Sequence, residues 1–262
     1  MPHPHPVSVP PTRHVLAGVP VLLARPASAL DRPGPPPIAL WSHGYRAQAA
    51  DNAAELTALA ADGFIAVGVD AVGHGARRGE DLSARAARTP GGALAVMLAL
   101  ADATVAELPA LVAALGADGL GDPGRVGIVG VSMGGFLAYR AVGRVPGVRA
   151  VAAVLGSPDW DRPGAPDPES PHRHPARFHD VALLSVTAER DANVPPDAAR
   201  RLHAALTAAG AGPERARYVE LPGAEHLVGA RDWDRAMAEA RRWLRVHLRP
   251  WPNGEPPAEP AP

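Results

Sequence analysis

Ser132 lies in the run Gly130-Val131-Ser132-Met133-Gly134. Before it, Arg125 to Val129 is short, rich in β-branched residues and bounded by Gly124, and reads as a buried strand. After it, Gly135 to Val142 reads as a helix that ends near Gly143. A serine on the sharp turn from strand to helix, with glycine two residues away on each side, has the form of a nucleophile elbow. Such a turn strains the serine backbone, lifts its hydroxyl above the sheet and aims the N–H groups of the new helix at the same place. The five residues alone also suit a serine that only caps the helix. Acyl transfer needs more: a base, a group that orients the base, and donors for the oxyanion. His226 offers an imidazole just past the last strand candidate, Arg217 to Leu221, and Asp191 follows the preceding one, Val181 to Thr187. The order Ser, Asp, His is the one that accompanies this elbow. Asp159 and Glu189 are competing acids. The other histidines fit the base less well: His172, His174 and His179 lie in a polar loop, His203 and His247 within helices.

These groups need a frame. Ile38 to Trp41, Phe64 to Asp70, the elbow strand, Val148 to Leu155, Val181 to Thr187 and Arg217 to Leu221 are short apolar runs of the kind found in a parallel sheet covered on both faces. Helical patterns separate them: Ala47 to Asp62, Ala93 to Leu115 with a bend expected at Pro109, Pro196 to Ala209, and Asp232 to His247. Val15 to Ala24, with Gly18 and Pro20 inside, suggests an edge hairpin. Gly119 to Gly124 reads as a turn, and Asp159 to His179 as a proline-rich loop or one short helix. The alternation predicts an α/β fold of a mostly parallel sheet with helices on both faces, and the short loop from Asp159 to His179 leaves room for a minimal lid domain or none. Ligands of such sheets bind at the carboxyl ends of the strands, where each candidate group falls. The expected organisation is one domain over 13–248, with proline-rich tails at 1–12 and 249–262.

Composition narrows the chemistry. The chain has 262 residues, enough for one large domain, and is 47% hydrophobic but only 4% aromatic, so Ala, Val and Leu must fill the core. It contains no cysteine, which excludes thiolate nucleophiles, disulfides and Cys-based metal sites. It also contains no lysine, which excludes Schiff-base chemistry and the P-loop lysine. A formal net charge of −1 gives no electrostatic reason to expect nucleic acid or an anionic membrane as partner. No apolar run approaches the ~20 residues of a membrane span, and the first residues lack signal-peptide features, so a cytoplasmic protein is expected. Gly73, Gly75 and Gly79 imitate a dinucleotide fingerprint, but Arg77-Arg78-Gly79-Glu80-Asp81 follows where an apolar helix should open. His172, His174, Asp167 and Glu169 could chelate a metal in principle, yet no predicted rigid element fixes them. Neither cofactor nor metal is expected.

Read together, His43-Gly44, Asp70 through Gly75, Gly130 through Gly135, Asp191 with Val194-Pro195, and Gly223 through His226 resemble the α/β-hydrolase superfamily over roughly residues 36 to 248. The resemblance is closest to small serine esterases of the dienelactone hydrolase and prolyl-oligopeptidase-like branch. It implies Ser132 as nucleophile, His226 as general base and then acid, and Asp191 as the group that holds the imidazole. It further implies an oxyanion hole from the backbone N–H groups of Tyr45 and Met133, with His43, Gly44, Asp70 and His74 as structural residues near the site. We read Asp70 and His74 as a salt-bridged loop pair. The chain departs from the pattern twice: dienelactone hydrolases proper carry a cysteine nucleophile, and Arg190 stands where a glycine usually precedes the acid.

The reading that results is a serine hydrolase of carboxylic esters, with small or short-chain acyl groups and a small-molecule ester as its partner. An amide or peptide hydrolase on the same three residues and a non-catalytic binding protein on the same fold are the alternatives. By position, Trp160 and Leu227, along with Tyr45 and Met133, are candidate substrate contacts. Oligomeric state is not legible from the residues.

Overall fold

The computed structural model describes residues 10–26, 34–162 and 164–248. Its strands are β1 (Thr12–Leu16), β2 (Val19–Ala24), β3 (Pro37–Ser42), β4 (Ile65–Val69), β5 (Asp122–Val131), β6 (Val148–Val154), β7 (Ala182–Ala188) and β8 (Ala216–Leu221). They form one sheet in the order β1-β2-β4-β3-β5-β6-β7-β8. Only the β1–β2 and β2–β4 pairs are antiparallel; β4 through β8 run parallel. The helices are α1 (Ala53–Ala61), α2 (Leu82–Arg88), α3 (Gly92–Ala117), α4 (Met133–Ala141), α5 (Asp197–Ala208) and α6 (Ala230–Leu248).

The uninterrupted apolar strands follow from burial on both faces. Along β3, Ile38 and Leu40 enter one core, with α3, α4 and α5, while Ala39 and Trp41 enter the other, with α1 and α6. The strand period of two thus divides a single apolar run between two cores.

Several expectations need correction. β1 begins at Thr12, inside the stretch read as a tail; the rest of that tail, 1–9, and the tail from 249 lie outside the described residues. Within the predicted hairpin β1 is the edge strand, whereas β2 pairs onward with β4. β5 starts at Asp122, within the expected turn. α2 was not foreseen, because none of its residues is buried and it carries no apolar stripe. The polar loop after β6 holds two short 3₁₀ turns, Pro171–Arg173 and Pro175–Phe178. α3 is helical straight through Pro109 and, by length and composition, is apolar enough to cross a bilayer, contrary to the sequence expectation. Here 61% of its most apolar stretch is buried, and residues such as Val105, Leu108 and Leu111 form core beneath the sheet.

Candidate active site

β5 delivers Ser132 at its carboxyl end, and α4 begins one residue later. Ser132 has φ 54° and ψ −113°, a conformation that non-glycine residues adopt only when their surroundings impose it. The constraint is local packing. A Cβ at Gly130 would overlap the carbonyl oxygen of Gly134, and one at Gly134 would overlap that of Ser42. Two glycines therefore let strand, helix and the end of β3 close on one another. Ser132 N–H donates to Val154 O (2.8 Å) and Gly134 N–H to His43 O (3.1 Å), which ties the turn to both neighbouring strand ends.

β7 and β8 deliver the other two groups. His226 Nε2 lies 2.9 Å from Ser132 Oγ, and His226 Nδ1 lies 2.7 Å from Asp191 Oδ2. Asp191 Oδ1 accepts from the N–H groups of Asn193 (2.9 Å) and Val194 (2.8 Å), so Oδ2 is left to face the imidazole. A carboxylate only accepts, so Nδ1 must carry the proton and Nε2 must present its lone pair to the hydroxyl. That is an arrangement able to take a proton from Ser132 as its oxygen attacks. The Asp191 side chain is 1% exposed and that of His226 16%, so solvent reaches the imidazole but not the carboxylate behind it.

The competing acids have other work. Glu189 Oε2 accepts from Gly223 N–H (2.6 Å), and Arg190 N–H donates to Ala224 O (2.8 Å); the loop after β7 is thereby zipped to the loop carrying His226. Asp159 faces His172 instead (3.5 Å). Sequence reasoning missed the Glu189 brace, since it joins residues 34 apart and leaves no local pattern.

On the other side of β5, the end of β3 leads into Ser42-His43-Gly44-Tyr45. A Cβ at Gly44 would stand 3.7 Å from the Ser132 Cβ, so this loop packs directly on the serine. His43 is fully buried. Its Nε2 accepts from Ala71 N–H (3.1 Å), which leaves Nδ1 to donate to Gly44 O (2.8 Å). Ala47 N–H donates to the same carbonyl (3.1 Å). Because the Gly44–Tyr45 peptide is one plane, fixing its C=O fixes the opposite direction of the Tyr45 N–H. Among the described residues neither Tyr45 N–H nor Met133 N–H has a backbone acceptor. Burial, with the nearby His74, lowers the His43 pKa and keeps the ring neutral.

The expected Asp70–His74 ion pair does not form. Asp70 uses its two oxygens on backbone N–H groups, Ala49 and Ala76 (both 2.8 Å), and joins the start of the α1 segment to the loop after β4. His74 Nδ1 donates to Val72 O (3.0 Å), and burial lowers its pKa. A carboxylate beside free backbone N–H groups satisfies them better than it would a buried neutral imidazole.

Trp160 is 2% exposed, edge-on to Phe136 (6.4 Å between ring centroids) with the Arg140 guanidinium over its ring (4.6 Å). Leu227, next to His226, is 90% exposed. Of the groups considered for metal, His174 Nε2 donates to Pro168 O (2.7 Å), and Asp167 and Glu169 pair with Arg140 and Arg177. A different set, Asp159, Asp161 and His172, could bring three ligand atoms within 4.8 Å of one another. Arg173 already pairs with Asp161, and Arg201 lies 4.0 Å from Asp159.

Similar folds occur among solved structures. TT1662 from Thermus thermophilus matches with TM-score 0.69 and 24% identity, over 89% of this chain and 97% of that one. A puromycin-hydrolyzing peptidase from Mycobacterium tuberculosis matches with TM-score 0.72 and 21% identity, over 97% of this chain but only 41% of the peptidase. Esterase 2 from Thermogutta terrifontis, in a form phosphoramylated by tabun, matches with TM-score 0.66 and 18% identity, over 93% of this chain and 96% of the esterase. At these identities the likeness is one of fold. No curated protein is similar enough in sequence to count as a relative. The model of the dienelactone hydrolase family matches residues 42–247, a span that runs from the end of β3 to the end of α6 and contains Ser132, Asp191 and His226. This chain belongs to the dienelactone hydrolase family and has the α/β-hydrolase fold of its structural neighbours.

Proposed function

We propose that the protein is a serine hydrolase that cleaves carboxylic esters through an acyl-enzyme. The observation that carries this reading is the continuous line Asp191–His226–Ser132, with bonds of 2.7 and 2.9 Å, ending on a serine held at φ 54°. Ser132 Oγ attacks the ester carbonyl while its proton passes to His226 Nε2. The tetrahedral oxyanion is met by the N–H groups of Tyr45 and Met133. His226 then protonates the departing alcohol, water takes the alcohol's place, and the same imidazole acts as base for deacylation. Asp191 holds the ring in the required tautomer and stabilises its cation.

Small acyl groups fit this reading because the loop from Asp159 to His179 is too short for a lid domain and Leu227 beside the imidazole stands open to solvent. Ser132→Ala should lower turnover of p-nitrophenyl acetate on the order of 10⁴-fold. Undiminished turnover would remove Ser132 as the nucleophile; no turnover by the parent and no labelling of Ser132 by a fluorophosphonate probe would leave only a binding protein on this fold. The likeness to a puromycin-hydrolyzing peptidase favours a second reading, hydrolysis of amides by the same three groups. Rates on a matched ester and anilide separate the two; a faster anilide would replace the ester reading.

A further inference from the structure

A cleft of about 690 Å³ opens beside the amino ends of β7 and β8, at the opposite end of the sheet from Ser132. Its volume falls within the roughly 300–1,000 Å³ typical of small-molecule sites. Phe178, Val181 and Leu206 line it and continue into the core behind, and Ala211 packs against that same core. Arg215 and His179 also line it. Arg215 has no carboxylate partner among the described residues. Glu214 folds over Gly212, and Asp180 is taken by His179 at 2.9 Å. The neighbouring arginine on β8, Arg217, is by contrast paired with Glu239 (3.2 Å). An apolar wall beside an exposed guanidinium that no carboxylate occupies suits a ligand with an apolar body and one anionic end, because the planar fork of arginine matches a carboxylate.

We propose that this cleft binds a free medium-chain fatty acid, its chain along Phe178 and Leu206 and its carboxylate at Arg215. The inference does not rest on the hydrolase reading: the ligand undergoes no reaction there, and Ser132 is remote.

Calorimetric titration of the full chain with dodecanoate, below its micelle threshold, tests it. Saturable 1:1 binding is expected. Ala209→Trp, which fills the rim of the cleft at an exposed position, should abolish it, and Arg215→Gln should weaken it about 10-fold. Decanoate, shorter by two methylenes, should bind about 10-fold more weakly than dodecanoate, and dodecanol should resemble the Arg215→Gln result. A melting curve for each variant separates loss of binding from loss of fold; if Ala209→Trp fails to fold, Arg215→Gln and the chain-length series decide alone. Four results would overturn the proposal: no saturable binding, binding unchanged in both variants, capture by phosphatidylglycerol vesicles in place of the free acid, or a cleft covered by a second copy in sedimentation.

Discussion

His43 and His226 stand on either side of β5, one at the end of β3 and the other past the end of β8, and their nitrogens face different kinds of partner. His43 is buried with both nitrogens on backbone groups, Ala71 N–H and Gly44 O. A proton on its Nε2 would point at an N–H that has nowhere to turn, so the ring is locked in one tautomer. His226 has a carboxylate on one nitrogen and a hydroxyl on the other, both side chains that tolerate a moving proton. Two imidazoles within one loop's reach of the same serine are thus assigned different work by their partners. In the proposed reaction the first would aim a peptide N–H and the second would carry charge for a moment.

That contrast can be broken from the larger effect downward. Asp191→Asn strikes the His226 side: an amide in place of the carboxylate permits the wrong tautomer of His226, and kcat should fall on the order of 10⁴-fold. A loss below about 10-fold would mean that Asp191 does not orient the ring. Gly134→Ala strikes the junction between the two sides, where a Cβ would overlap the Ser42 carbonyl; a loss of roughly 4 kcal/mol or more in urea unfolding is expected. An alanine variant with an unaltered midpoint would contradict the close approach. His43→Phe keeps the buried ring but removes one of the two donors that hold the Gly44 carbonyl, leaving only Ala47 N–H. It should reduce kcat about 10²-fold while KM moves by less than about threefold, because the aimed N–H matters to the oxyanion and not to the bound ester. An equal rise in KM would instead make His43 a binding residue.

A last effect, spread over several pH units, concerns stability and uses a third imidazole. His203 is buried on α5, bonded to Ser185 Oγ at 2.8 Å, and burial lowers its pKa to about 4. In the unfolded chain the ring titrates near 6.5. The fold therefore refuses a proton that the unfolded chain accepts, and the associated stability, up to about 3 kcal/mol, is intact above pH ~6.5 and lost as pH falls toward 4. His43, His74 and His247 are lowered by burial in the same direction. His203→Gln should show a shallower decline of Tm between pH 6.5 and 4 than the parent. Parallel curves would show that this ring is not a main source of acid sensitivity.

Legibility followed the reach of each interaction. The elbow could be read because the strand, the turn with both its glycines and the start of the helix follow one another within the short run from Arg125 to Val142. The strands could be read because two-sided burial demands unbroken apolar runs. α2 could not, since it buries nothing. The partners of Asp70 could not be read either: its binding to Ala49 and Ala76 N–H, in place of the expected pair with His74, depends on two loops meeting in space. α3 shows the limit from another direction, because its composition suits a bilayer as well as a core, and only packing against the sheet distinguishes them.

From sequence alone came the class of fold, the serine on its turn, and the order of acid and base along the chain, all of them properties of short runs and their succession. Tertiary structure decided which carboxylate meets the imidazole. Asp159, Glu189 and Asp191 all follow parallel strands and are equivalent by type. Backbone N–H groups at Asn193 and Val194 claim one oxygen of Asp191 and turn the other toward His226, while Gly223 claims Glu189 and His172 faces Asp159. A carboxylate goes where donors converge, and convergence across 35 residues of chain exists only once the strands lie side by side.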